Sequence, residues 1–157
     1  RYTSLLGFPS LRLMLTVRDQ IDIAASVEQV FAFMDEPSNQ VEITPSLTRS
    51  ELVKRLPNGG SHASYTYSVW GLPLRGAVKA TDYAPNERIV WALSGHLRGT
   101  IRWYFQPQET GTRFTYAATY AIPGPSLTRP FLKPLLRRYN EQEVQTLLDR
   151  LKRRLEG

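Results

Sequence analysis

The sequence predicts an α+β domain in which one long helix lies across an antiparallel sheet, and three observations carry that expectation. About six strand-like runs follow one another from Leu47 to Ile122, a single amphipathic helix runs from about Pro125 to Leu155, and a strand and a short helical patch precede them all. A lone helix behind a long sheet can bury its apolar stripe only against that sheet, and a curved sheet closing on one helix leaves a cavity between them.

Leu13 to Ile23 alternates loosely, with Leu13, Leu15 and Val17 and then Ile21 and Ile23 on one side, and reads as the first strand. Ser26 stands as the N-cap of a short helix with Glu28 in its first turn and Val27, Val30, Phe31 and Met34 at helical spacing. That helix stops before Pro37. The stretch from Asp35 to Pro45 sets prolines and Asn39 around Val41 and Ile43, which predicts a second short helix or turn. Asn58-Gly59-Gly60, Gly71-Leu72-Pro73 and Pro85-Asn86 are turn signals, and Gly95 and Glu109-Thr110-Gly111 punctuate the rest. The runs between them, 47–56, 61–70, 74–83, 88–94, 98–106 and 112–122, are rich in Tyr, Val, Thr, Trp and Phe, and their short connections make neighbours antiparallel.

Period-two alternation assigns the faces. Ile89, Trp91 and Leu93 share a side with Ile101, Trp103 and Phe105 and with Phe114, Tyr116, Ala118, Tyr120 and Ile122, while Arg88, Thr100, Arg102, Gln106, Arg113 and Thr119 alternate with them. On the long helix, Val144, Leu147, Leu148, Leu151 and Leu155 form one stripe. Each contributes about 1.5 to 3 kcal/mol if fully buried.

At 157 residues the chain is long enough for one cored domain. It has no cysteine, which excludes disulfides, thiolate metal sites and cysteine nucleophiles and is compatible with a reducing cytoplasm. Residues 1 to 13 read as an extension or cloning remnant ahead of a domain spanning 14 to 157. The net charge is +6, and its placement matters more than its size. Basic and acidic side chains balance over residues 1 to 97 and again over 139 to 157. The excess lies in between, where Arg98, Arg102, Arg113, Arg129, Lys133, Arg137 and Arg138 face only Glu109. If the fold gathers these residues, an anionic partner is favoured there. Nucleic acid is not expected, because no exposed aromatics are interleaved with the basic residues.

Groups able to do chemistry are sparse. His62 and His96 alone titrate near neutral pH unaided, and they fall on different strands. Two histidines without HxH or HxxxH spacing do not predict a metal site. Ser64, Ser68 and Ser94 lack the Gly-x-Ser-x-Gly elbow of a nucleophile. No catalytic residue, metal or cofactor is assigned from the residues themselves.

The opening strand with Ala25-Ser26-Val27-Glu28-Gln29-Val30-Phe31, the Asp35-to-Pro45 connection, Ile101-Arg102-Trp103-Tyr104-Phe105-Gln106-Pro107, and Gly111-Thr112-Arg113-Phe114-Thr115 before a Pro-rich entry to one terminal helix resemble the START-related, birch-pollen-allergen-like superfamily. Over about residues 14 to 156 the chain is most similar to the polyketide cyclase/dehydrase and lipid-transport branch. The resemblance implies a helix-grip fold: a seven-stranded antiparallel sheet wrapped around the C-terminal helix, with two short helices after the first strand. It also implies an internal cavity for a hydrophobic small molecule such as a lipid, an isoprenoid quinone or a polyketide. The residues expected against that ligand are the aromatics Tyr65, Tyr67, Trp91, Trp103, Phe105 and Phe114, then Tyr116, Tyr120 and the helix residue Leu136. In the aromatase/cyclase branch polar and Arg side chains sit among the cavity aromatics, a part that Arg75 or Tyr67 would take here.

Fold does not fix function, so three classes stay open. A binding or transport protein for a hydrophobic ligand needs only the cavity. A cyclase or dehydratase is favoured if His62, His96 or Arg75 lies inside it. An interaction module using the basic face is favoured if the cavity is closed and filled by side chains. Residues 122–139 interleave prolines and leucines with Arg129, Lys133, Arg137 and Arg138, a pattern suited to transient contact with an anionic membrane. The expected state is a monomer or weak dimer, cytoplasmic or at the membrane periphery.

Overall fold

The computed structural model describes residues 12–123 and 129–157. Seven strands form one antiparallel sheet in the order β1-β7-β6-β5-β4-β3-β2. They are β1 (Arg12–Ile23), β2 (Leu47–Arg55), β3 (Ser61–Val69), β4 (Leu72–Ala84), β5 (Arg88–Gly95), β6 (Arg98–Gln108) and β7 (Gly111–Pro123). Strands β2 to β7 form a meander, and β1 closes onto β7 in an unbroken register from Arg12↔Pro123 to Ile23↔Thr112. Register shifts in β2 and between Ala80 and Asp82 of β4 bend the sheet. Helices α1 (Val27–Asp35) and α2 (Gln40–Ile43) flank a 3-10 turn at Pro37–Asn39, and α3 (Arg129–Glu156) is the long C-terminal helix. This is the helix-grip arrangement.

The expected elements are present with boundaries moved by a few residues. Ser26 caps α1 in a reciprocal capping box with Gln29. The first strand begins at Arg12, so Arg12 and Leu13 belong to the sheet; residues 1 to 11 lie outside those described. The expected helix start at Pro125 also falls outside them, and the helix is seen from Arg129. The β3–β4 hairpin turns one step earlier than its Gly-Leu-Pro signal, at Trp70-Gly71, both with positive φ. Leu72 and Pro73 are already in β4. Pro73 is tolerated there because β4 pairs with β5 only from Gly76 onward, so its missing N–H interrupts no second ladder.

The core lies between the sheet and α3. Ile89, Trp91, Leu93, Ile101, Trp103, Phe105, Phe114, Tyr116 and Ala118 are buried on the face predicted for them. Val144, Leu147, Leu148 and Leu151 meet them from the helix, with Leu155 partly buried at the end of the stripe. Val30, Phe31, Phe33 and Met34 of α1 cover one end of the same core. The basic residues are divided rather than gathered. Arg98, Arg102 and Arg113 point away from α3 on the outer sheet face, where Arg113 is paired with Asp22 at 2.8 Å, whereas Lys133, Arg137 and Arg138 are exposed on the helix.

Candidate functional site: a two-chambered apolar cavity

The first chamber lies under the N-terminal half of α3. Leu136, Asn140, Glu143 and Val144 approach from the helix, while Leu15, Val69, Leu93 and Tyr120 approach from the sheet. A second chamber continues toward α1 and α2, between Met34 and Pro37 on one side and Tyr65, Trp91 and Trp103 on the other. Thr44, Tyr67, Ile101, Tyr116 and Leu147 line both, so the chambers meet at these five residues. They hold about 630 and 590 Å³ of atom-free space, counting the part open to solvent.

The polar groups of this cavity cluster where α3 meets the start of β2. Glu143 accepts two hydrogen bonds from Ser46, from its backbone N–H at 2.8 Å and its hydroxyl at 3.0 Å. The Ser46 hydroxyl also meets that of Tyr139, and the Tyr120 hydroxyl donates to Asn140 Oδ1. Ser46, Thr44 and Asn140 are all buried. Burial, foremost, together with the nearby Glu143 carboxylate, pushes the Tyr67, Tyr116 and Tyr120 phenols well above their ordinary range. These phenols stay protonated, and each can donate a hydrogen bond.

Seven of the nine expected ligand residues stand on the cavity wall: Tyr65 and Trp91, Trp103 and Tyr67, Tyr116 and Tyr120, and Leu136. Phe105 and Phe114 do not. They share the inward face, but Phe31 from α1 packs on Phe105 with ring centroids 5.0 Å apart, Phe105 packs on Phe114 at 5.2 Å, and that end of the sheet is solid core. Of the candidate catalytic groups, Tyr67 lines both chambers, whereas Arg75, His96 and His62 lie outside the cavity. Arg75 is exposed on the outer face beside inward Leu74, and its backbone exchanges hydrogen bonds with His96, whose Nδ1 accepts the Arg75 N–H at 2.8 Å. His62 alternates outward between Ser61 and Ala63. Among the described residues no group of three His, Asp or Glu side chains is placed to hold a metal ion.

Sequence reasoning missed Thr44, Ser46, Tyr139, Asn140 and Glu143. A signal for the last two was present, because Asn140 and Glu143 fall in step with Leu136, Leu147 and Leu151 on the buried stripe of the helix. Polar residues in such a stripe mark a buried polar contact or a cavity.

The profile of the family described as polyketide cyclase / dehydrase and lipid transport matches residues 14–156 of this chain. The chain belongs to this family. A search of the curated proteins finds no significant match. Among solved structures, a START superfamily protein from Mycobacterium smegmatis is 16% identical with a TM-score of 0.71, over 90% of this chain and 97% of the other. Zhui aromatase/cyclase from Streptomyces sp. R1128 is 14% identical with a TM-score of 0.68, over 92% and 97%. StfQ, a di-domain aromatase/cyclase of the steffimycin biosynthetic pathway, is 21% identical with a TM-score of 0.72, over 92% of this chain and 52% of that one. At such identities these likenesses establish the fold alone. Family membership brings polyketide cyclases, dehydrases and lipid transport proteins into view as relatives without choosing among them.

Proposed function

We propose that this family member binds, and carries, a hydrophobic small molecule in its two-chambered cavity. The observation that supports this reading is the continuous, largely apolar wall running through Tyr67, Ile101, Tyr116 and Leu147 from one chamber to the other, with neither histidine and no Arg among the lining residues. Carriage asks nothing of the groups that lie outside the cavity. Native mass spectrometry of the purified protein, followed by organic extraction, tests it. A released lipid, quinone or aromatic compound is expected; an empty protein that also takes up none of a panel of such compounds refutes the reading.

Contact with an anionic membrane through residues 122–139 belongs to the same proposal, although 124–128 lie outside the described residues. Lys133, Arg137 and Arg138 are exposed there, Leu135 is 58% exposed beside them, and Leu136 turns inward onto the cavity. Trp70 at the β3–β4 turn is 57% exposed and packs edge-on against Tyr139 of the same helix. Basic side chains around exposed Trp and Leu suit a lipid headgroup layer. No helix among the described residues is long and apolar enough to cross a membrane.

A second reading, cyclase- or dehydratase-type chemistry, is favoured by one observation. The Glu143 carboxylate lines the first chamber among the hydroxyls of Ser46 and Tyr139, a polar group on the wall of an apolar pocket. Turnover of a polyketide-like substrate that is lost in Glu143→Gln supports it, and binding without turnover refutes it.

A further inference from the structure

Every ionisable group lining the two chambers is a tyrosine except Glu143; no Lys, Arg or His is among the lining residues described. An ionised carboxylate or phosphate placed there would leave water without a counter-charge and would sit in the field of Glu143, which makes its burial unfavourable. The cavity wall is also rich in donors that the protein leaves unused. The indole N–H groups of Trp91 and Trp103, residues only 5% and 6% exposed, are buried without a hydrogen-bond partner among the described residues. Other phenols of the wall are engaged: Tyr65 with the Ser94 carbonyl at 2.8 Å, Tyr120 with Asn140, Tyr139 with Ser46. The hydroxyls of Tyr67 and Tyr116 make no such bond among the described residues, and both residues stand at the junction of the chambers. Tyr116 is 8% exposed. A donor on an apolar wall that meets no acceptor costs free energy that pairing would recover.

We infer that the ligand is an uncharged apolar molecule bearing a carbonyl or comparable acceptor oxygen, which receives hydrogen bonds from Tyr67 and Tyr116 at the chamber junction. This rests on the binding reading above and narrows it. Ketones, quinones and esters satisfy the site, whereas free fatty acids and other ionised carboxylates, though equally apolar along their length, do not. The aromatic walls of the second chamber suit a flat body on that ligand.

Calorimetric titration with three compounds of one skeleton tests it: acetylnaphthalene, which carries an acceptor oxygen, ethylnaphthalene, which carries none, and naphthoate, which is ionised at neutral pH. Acetylnaphthalene is expected to bind tightest and naphthoate weakest. Tyr67→Phe and Tyr116→Phe should each lower affinity for acetylnaphthalene by roughly 2- to 10-fold. Neither should change that for ethylnaphthalene, and both should keep the wild-type melting temperature, since neither hydroxyl makes a hydrogen bond among the described residues. Equal binding of the ketone and the hydrocarbon, or equal losses of both in the Phe variants, overturns the inference while leaving hydrophobic binding intact. Tightest binding of naphthoate overturns it as well. Failure of all three to bind overturns the binding reading and this inference with it.

Discussion

His62 has lysines on both sides. Its register partners across the sheet are Lys54 on β2 and Lys79 on β4, and its Nδ1 is buried without a hydrogen-bond partner among the described residues. Partial burial, first, and then the charges of Lys79 and Lys54 hold its pKa below the ordinary imidazole value. The sign follows directly. Above about pH 6.5 the imidazole is neutral folded and unfolded alike, so the full stability is present; below it the unfolded chain takes up the proton more readily, and stability falls as pH drops through the depressed folded value. Thermal melts between pH 8 and pH 5 should therefore show a decline in wild type that is shallower in His62→Gln. Parallel pH profiles for the two would show that the lysine neighbours do not matter. At the same scale Tyr65 explains a glycine. Its hydroxyl passes over Gly76 to the Ser94 carbonyl, and a Cβ at Gly76 would lie 2.3 Å from that hydroxyl and 2.0 Å from the carbonyl oxygen.

Among the elements, α3 carries most of the burden. Leu151 is fully buried in its stripe, so Leu151→Ala should lower stability by about 2 to 5 kcal/mol in a denaturant titration. An unchanged midpoint would mean that the helix is not gripped as described. The stripe was legible because a 3.6-residue period on a polar helix has one physical solution, burial against something. The faces of β5 to β7 were legible for the corresponding reason at period two. What could not be read was where the inward side chains fill space and where they leave it. Phe105 and Trp103 sit on the same face of the same strand, yet Phe31 from α1 closes on the first and nothing closes on the second in the same way. That difference depends on how a helix more than 70 positions earlier crosses the sheet, and alternation holds no information about it. Arg75 illustrates the limit in reverse: its strand has Gly76 and Ala77 for neighbours, too little contrast to fix a face.

For the molecule as a whole, the exposed charge and the cavity are arranged around the same half of α3. Lys133, Arg137 and Arg138 ring Leu136, whose side chain faces the first chamber. Sedimentation with anionic vesicles should pull down the wild-type protein and leave it in solution with neutral ones. Lys133→Glu, Arg137→Glu and Arg138→Glu together should abolish the difference without changing the melting temperature, since all three side chains are exposed. Equal, negligible sedimentation with both vesicle types would remove the membrane from the proposal while leaving carriage untouched. The basic cluster of residues 98 to 138 was visible as composition, but its division between the outer sheet face and the helix was not, because strand register and helix placement decide it jointly.

The burial of the three tryptophans also sorts them optically. Trp70 stands in water at a hairpin tip, whereas Trp91 and Trp103 are enclosed on the wall of the second chamber with their rings edge to face at 5.3 Å. Indole emission moves to longer wavelength when polar solvent can reorient around the excited ring, so the native spectrum is a sum of a red component from Trp70 and a blue one from the enclosed pair. In Trp70→Phe the remaining tryptophan fluorescence, excited selectively at the red edge of absorption, comes only from the chamber wall. The protein then reports occupancy of its own interior, with no label attached.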